Sequence, residues 1–127
     1  MNPSRNTVQR VLILSILEHN RTHPTADEIY RLACQKKPRI SRGTVYRNLN
    51  LLVETGQIRR LTTPDGPDHF DRTLDNHYHF FCRNCRRMVD AALPYQEELN
   101  KASASLPGYH TECHRLLLIG LCPDCSR

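Results

Sequence analysis

Tryptophan is absent from the 127-residue sequence, and phenylalanine and tyrosine number only three and five. No large aromatic core is available, so support from a metal ion or a second subunit is expected. Long apolar runs are also missing. The best, residues 11–17 (broken by Ser15) and 116–121, fall far short of the roughly twenty residues that a membrane-spanning helix needs. Glu18-His19-Asn20-Arg21 follows the first of them where a secretory signal would carry small residues. No membrane partner is expected, and the chain should stay in the cytoplasm. Internal repeats and low-complexity tracts are lacking as well.

Hydrophobic residues make up 39% and charged residues 24%, the balance of a globular chain with room for one domain or two small ones. The formal net charge is +5 and the sequence pI about 9.1. That surplus suits a nucleic acid or an anionic surface, although a generic basic exterior carries the same number. Four thiolates around one zinc ion would add about −2, so any functional positive field must be local. Six cysteines in a reducing compartment point to metal or redox chemistry more than to disulfides.

The character of the chain changes across the polar stretch 72–76. Before it, Val8, Val11, Leu12 and Ile16 have helical spacing. His23-Pro24-Thr25 breaks that helix, and Thr25-Ala26-Asp27-Glu28 has capping-box spacing for a second one carrying Ile29, Leu32 and Ala33 inward. Pro38 closes it. Ser41 caps a third helix with Val45, Leu49, Leu52 and Val53 on one face and Gly56 as its stop. Residues 58–62 and 69–71 then read as a hairpin around Pro64-Asp65-Gly66-Pro67. Three helices and a hairpin are the order of a winged helix-turn-helix.

On the third helix Tyr46, Arg47 and Asn50 lie off the apolar stripe, with Arg42 and Thr44 in its first turn. Arginine pairs with guanine edges and asparagine with adenine, so these five are candidate DNA contacts; any solvated helix face could carry the same residues. After the hinge, residues 77–82 and 88–92 read as strands, 94–106 as a helix begun by proline, and 109–121 as a strand. Open strand edges on so small a unit favour pairing with a second copy. The expected class is α+β, with a winged-helix domain at 1–71, a hinge at 72–76 and an α/β dimerisation domain at 77–127.

Two metal constellations stand out. Cys82-Arg83-Asn84-Cys85 and Cys122-Pro123-Asp124-Cys125 offer four soft thiolates, the donor set of structural zinc, with dithiol redox pairs or buried free cysteines as alternatives. Cys34 reads as core and Cys113 as a strand residue. The second set is His77 and His79, two apart on one strand face, with Asp71, Asp90 and, from the first half, His23. Imidazoles and carboxylates together suit iron(II) or manganese(II), although each residue alone has an ordinary surface or structural reading. His19, His69, His110 and His114 are taken as surface or structural.

Nearly the whole chain resembles the ferric uptake regulator family. The resemblance rests on His23-Pro24-Thr25-Ala26-Asp27-Glu28-Ile29-Tyr30, Gly43-Thr44-Val45-Tyr46-Arg47-Asn48-Leu49, Phe70-Asp71, His77-Tyr78-His79-Phe80-Phe81-Cys82-Arg83-Asn84-Cys85, Met88-Val89-Asp90 and Cys122-Pro123-Asp124-Cys125. It implies a homodimer, zinc on Cys82, Cys85, Cys122 and Cys125, and a regulatory metal on His23, Asp71, His77, His79 and Asp90. Asn76 and Tyr78 stand where iron- and zinc-sensing relatives often carry ligands of a third site. With Asp rather than Glu at position 90, they make the chain most similar to the peroxide-sensing branch. Two departures are visible. Thr7-Val8-Gln9-Arg10 replaces the usual Thr-Pro-Gln-Arg close to the chain start, so the basic N-terminal helix of many relatives is expected to be missing, and Arg86 stands where glycine commonly follows the cysteine knuckle.

The resulting expectation is a transcriptional repressor, not an enzyme, binding double-stranded DNA with an inverted-repeat operator. One ion joining both halves would favour the DNA-competent arrangement, and peroxide acting at bound iron would oxidise His23 or His77 and release it. A regulator of iron or manganese uptake that ignores peroxide is the nearest alternative. More distant are a metal-dependent hydrolase or oxidoreductase, for which no nucleophile–base pair stands out, and a winged helix that binds protein instead of DNA.

Overall fold

The computed structural model describes residues 4–19 and 22–127. Asn20 and Arg21, which argue against a signal sequence, lie outside them. The chain parts into two compact units, residues 1–74 and 75–127. The order of elements is α1 (Arg5–Glu18), α2 (Ala26–Lys36), α3 (Arg42–Glu54), β1 (Arg59–Leu61) and β2 (His69–Asp71) in the first unit. The second holds β3 (Tyr78–Cys82), β4 (Met88–Ala91), a 3-10 helix (Glu97–Ser105) and β5 (Leu117–Gly120). No described helix is long and apolar enough to cross a membrane.

Each α-helix of the first unit begins on a hydroxyl cap. The Ser4, Thr25 and Ser41 side chains accept the N–H of Thr7, Glu28 and Thr44, satisfying donors that the helix itself leaves unpaired. After α3 the chain turns at Gly56, whose φ of 74° is cheap only without a side chain. β1 and β2 pair antiparallel with Arg60 opposite Phe70, and Thr25 bridges to His69. Ile29, Ala33, Val45, Leu49 and Leu52 are almost wholly enclosed and meet Ile13, Ile58 and Phe70 in one core. Each large side chain among them contributes about 1.5–3 kcal/mol by leaving water.

The buried face of α1 differs from the expected one. Ile13, Ile16 and Leu17 point inward, whereas Val11 is 62% exposed. Val11 sits two residues, roughly 200° of helical turn, from Ile13. Apolar residues run almost right round this helix, so spacing alone does not choose the face; packing on α2 and α3 does.

In the second unit β3 is central, antiparallel to β4 and parallel to β5, giving the order β4-β3-β5. Two expectations fail here. Residues 97–105 form a 3-10 helix with no buried residue, so no packed face supports a longer α-helix. The strand expected over 109–121 shrinks to Leu117–Gly120, and Cys113 is exposed and outside it. Upstream of β5 the backbone serves a side-chain network instead. The His114 N–H donates to Tyr95 Oη at 3.1 Å, Tyr78 Oη lies 2.6 Å from His114 Nε2, and the Tyr95 and His114 rings stack at 4.4 Å. His114 is thus a structural residue, joined to Asn100 through Nδ1 at 2.7 Å.

Arg86 ends the first cysteine knuckle with φ at 64°, a left-handed conformation that costs a side-chain-bearing residue about 1–2 kcal/mol. Its N–H closes the turn on the Cys82 carbonyl at 2.8 Å. Arg86→Gly relieves this strain but gains freedom in the unfolded chain. A net stabilisation of about 0.5–1 kcal/mol is expected, measurable as a raised urea midpoint at unchanged zinc content.

Candidate metal centres and nucleic-acid interface

The four cysteines of the two Cys-x-x-Cys pairs converge at one end of the β3–β5 sheet, their sulfurs all within 4.8 Å of one another. Cys82 ends β3, and Cys122 follows β5, whose parallel register sets Gly120 opposite Cys82. The Cys85 and Cys122 sulfurs are 3.8 Å apart, the edge length of a sulfur tetrahedron with zinc–sulfur bonds of about 2.3 Å. Donors surround them: the Cys122 N–H points at Cys82 Sγ (3.4 Å) and Asn84 Nδ2 at Cys125 Sγ (3.3 Å).

Charge is unevenly shared within the cluster. Backbone N–H groups, that of Cys85 foremost and then that of Cys122, lower the Cys82 thiol to about 6. At Cys85 the Arg87 N–H favours the thiolate, but sharing with Cys82, burial and the sulfurs of Cys122 and Cys125 outweigh it and push the thiol up to about 11. Neighbouring sulfurs resist becoming four anions unaided, and a dication among them removes that conflict. The donor set fits structural zinc.

A donor pair lies in the first unit. His23, buried and left-handed (φ 50°), sets Nδ1 3.6 Å from Asp71 Oδ1. Asp71 ends β2, and its Oδ1 accepts the Thr73 N–H at 2.9 Å. The buried His69 donates Nδ1–H to the His23 carbonyl (2.6 Å), and the Phe70 N–H donates to the Pro24 carbonyl (3.0 Å), so β2 holds the His23 backbone in place. The sequence marks His69 as surface or merely structural; here it orients a candidate ligand. Only its position beside Phe70-Asp71 hints at that.

A donor trio lies in the second unit. His77, just before β3, and His79 within it put their ring centroids 4.4 Å apart. His79 is the cross-strand partner of Asp90, and Asp90 Oδ1 lies 3.2 Å from His77 Nε2 and 3.4 Å from His79 Nε2. His77 donates Nδ1–H to the Asp75 carbonyl at 2.6 Å; in the neutral ring that a metal ion requires, this puts the lone pair on Nε2, the nitrogen facing Asp90. Such a second hydrogen bond fixes tautomer and ring orientation for a ligating imidazole. Nitrogen and carboxylate donors without sulfur suit iron(II) or manganese(II).

On α3 the buried stripe of Val45, Asn48, Leu49 and Leu52 leaves Arg42, Tyr46, Arg47 and Asn50 exposed. Thr44 is half-buried and its hydroxyl contacts the Ser41 cap at 2.8 Å, so it faces the helix start more than solvent. Arg42 lies over the Tyr30 ring and forms an ion pair with Asp27, which also accepts from Tyr46 Oη at 3.1 Å. Arg60 on β1 reaches both Asn50 and Asp68, the latter at 3.4 Å. Several groups able to read bases are therefore held by intramolecular partners, which a nucleic acid has to displace.

The sequence profile of the ferric uptake regulator family matches residues 2–119. The chain belongs to this family. Its members are regulators and not enzymes. Among its relatives, the peroxide operon regulator of Bacillus subtilis is 39% identical over 123 residues, covering 97% of this chain and 85% of the relative. The peroxide-responsive repressor PerR of Staphylococcus saprophyticus is 37% identical, covering 98% and 84%. The crystal structure of the Campylobacter jejuni peroxide stress regulator superposes with a TM-score of 0.80 at 27% identity, covering 95% of this chain and 91% of that one. The fold is thus the α+β, winged-helix arrangement of ferric uptake regulators.

Proposed function

We propose that this ferric uptake regulator is a dimeric, cytoplasmic, metal-dependent repressor that releases its DNA in response to peroxide. The observation that carries the reading is the segregation of donors: four sulfurs converge in one cluster, while histidines and aspartates form sets without sulfur. A thiolate cluster suits permanent zinc, and nitrogen–oxygen donors suit an exchangeable iron(II) or manganese(II) ion. Relatives named for peroxide response agree with it.

His23 and Asp71 with His77, His79 and Asp90 are the proposed ligands of one regulatory ion. As one pair belongs to residues 1–74 and the trio to 75–127, an ion sharing all five couples the units and favours one arrangement of the readers. Arg42, Thr44, Tyr46, Arg47 and Asn50 are the proposed DNA contacts. In a two-fold dimer, two such helices call for an inverted-repeat operator. The exposed apolar side chains Leu118, Ile119 and Leu121 on and beside edge strand β5 favour pairing with a second copy.

Iron(II) held by these five residues would activate peroxide toward a ligand imidazole: one peroxide oxygen would end on a ring carbon and the other would leave as water, the imidazole supplying both electrons and the iron being unchanged overall. His23 and His77 are the candidates; a ligand so modified no longer holds its half of the coupling. The test loads the zinc protein with iron or manganese, adds peroxide, and follows DNA retardation and histidine-peptide mass together. Iron-loaded protein is expected to lose DNA and gain one oxygen on a histidine peptide, while manganese-loaded protein keeps both unchanged. Lost binding with intact histidines overturns the mechanism in favour of oxidation at the exposed Cys113. DNA release only on metal removal, never on peroxide, makes the chain a regulator of metal uptake.

A further inference from the structure

The first unit carries a cleft of about 510 Å³ between the start of α1 and the turn joining α2 to α3, with none of these donors in its lining. Four cations line it: Arg5, Lys36, Lys37 and Arg39; no acidic residue does. Its floor includes the half-buried Val8 and the buried Ile40. The four are exposed and, among the described residues, form no ion pair, in contrast to Arg42 with Asp27, Arg60 with Asp68 and Arg72 with Glu18.

The turn is firmly built. Pro38 restricts it, the Ile40 N–H donates to the Lys37 carbonyl at 3.0 Å, and buried Ile40 anchors it in the core. Lys36 has an ordinary role too, since a cation in the last turn of α2 favours the helix dipole. That account covers one residue of the four and leaves Lys37, Arg39 and Arg5 unexplained. The turn runs directly into Ser41 and α3, so the cationic rim continues in sequence into the proposed reading helix.

We propose that this cleft is a second DNA contact, taking sugar-phosphate backbone beside the bases that α3 reads. Phosphates meet the rim cations, and the apolar floor receives deoxyribose, which has no charge to lose. Several unpaired cations with no acid among them fit a polyanion better than a single carboxylate. Contacts of this kind set affinity and register without reading sequence. The inference rests on the DNA-binding reading above, and the experiment separates the two.

The test replaces Lys36, Lys37 and Arg39 with glutamine in the full-length, zinc-containing protein, all three being exposed and outside the core. Binding to an operator duplex and to an unrelated duplex is measured from low to high salt, with hydroxyl-radical footprints. The slope of log affinity against log salt should shrink by about 0.9 for each phosphate no longer neutralised, up to about five per dimer. Affinity should fall roughly ten- to hundredfold on both duplexes alike at moderate salt, and protection should vanish at one flank of each half-site. An unchanged slope and footprint overturn the proposal and leave the cleft to a small amphiphilic anion. Failure of the unsubstituted protein to bind any duplex, metal-loaded and at low salt, instead overturns the DNA-binding reading.

Discussion

Cys122→Ser is expected to empty the thiolate site and unfold residues 75–127 as an ordered unit. The reason is the meagre core beneath that sheet: Tyr78, Phe81, Cys82, Met88 and Cys122 are its buried apolar side chains, and two of the five are the cysteines themselves. A unit this small rarely folds on its core alone. Structural zinc contributes about 10–16 kcal/mol in comparable small domains, and that binding energy is folding energy. Serine conserves the volume of Cys122 but gives a poor zinc ligand, so the loss is one of coordination and not of packing. Zinc per chain should fall from one to near zero, the dimer should dissociate, and DNA retardation should disappear even with excess manganese. Cys34→Ser and Cys113→Ser serve as controls, since neither belongs to the cluster; both should retain the metal. A Cys122→Ser protein that keeps its zinc and remains dimeric would remove the four-sulfur site from consideration.

The convergence of the four cysteines is legible in the sequence because paired Cys-x-x-Cys spacing already carries the chemistry of a thiolate metal site, needing only two chain ends brought together. The winged helix is legible for a related reason. Hydroxyl caps at Thr25 and Ser41 and the stripe Val45, Leu49, Leu52 are local signals, and the structure uses them as such. Where no local signal discriminates, the sequence misleads. Around α1, apolar residues on nearly every side leave the inward face to tertiary packing. Upstream of β5, alternating apolar character is overridden by hydrogen bonds from His114 to Tyr78 and Tyr95 and to Asn100, partners far apart in sequence. The groups that orient the histidines are hidden too. The Asp75 carbonyl that fixes His77 and the His23 carbonyl held by His69 are backbone atoms, and no residue type announces them. Nor does a helical face disclose that Asp27 already holds Arg42 and Tyr46.

Substituting His77 by alanine tests the regulatory site most severely when paired with the same change at His23. His77→Ala removes an imidazole whose tautomer the Asp75 carbonyl sets and whose Nε2 shares Asp90 with His79. His23→Ala removes one whose backbone β2 clamps in the other unit. Disturbing the support of a ligand commonly costs 10–100-fold in metal affinity, so deleting a ligand should cost about 100-fold or more. Each single variant is expected to keep zinc and the dimer, because neither residue belongs to the sulfur cluster, yet to lose the manganese-dependent gain in DNA affinity. The double variant decides between one ion and two. A single ion drawing on both units makes the effects strongly non-additive, with the double variant hardly worse than either single one once coupling is gone. Two independent ions, one per unit, would instead make the losses add, and each single variant would retain part of the manganese response. Additive losses in that cycle would end the idea that one metal ion couples the DNA-reading unit to the pairing unit.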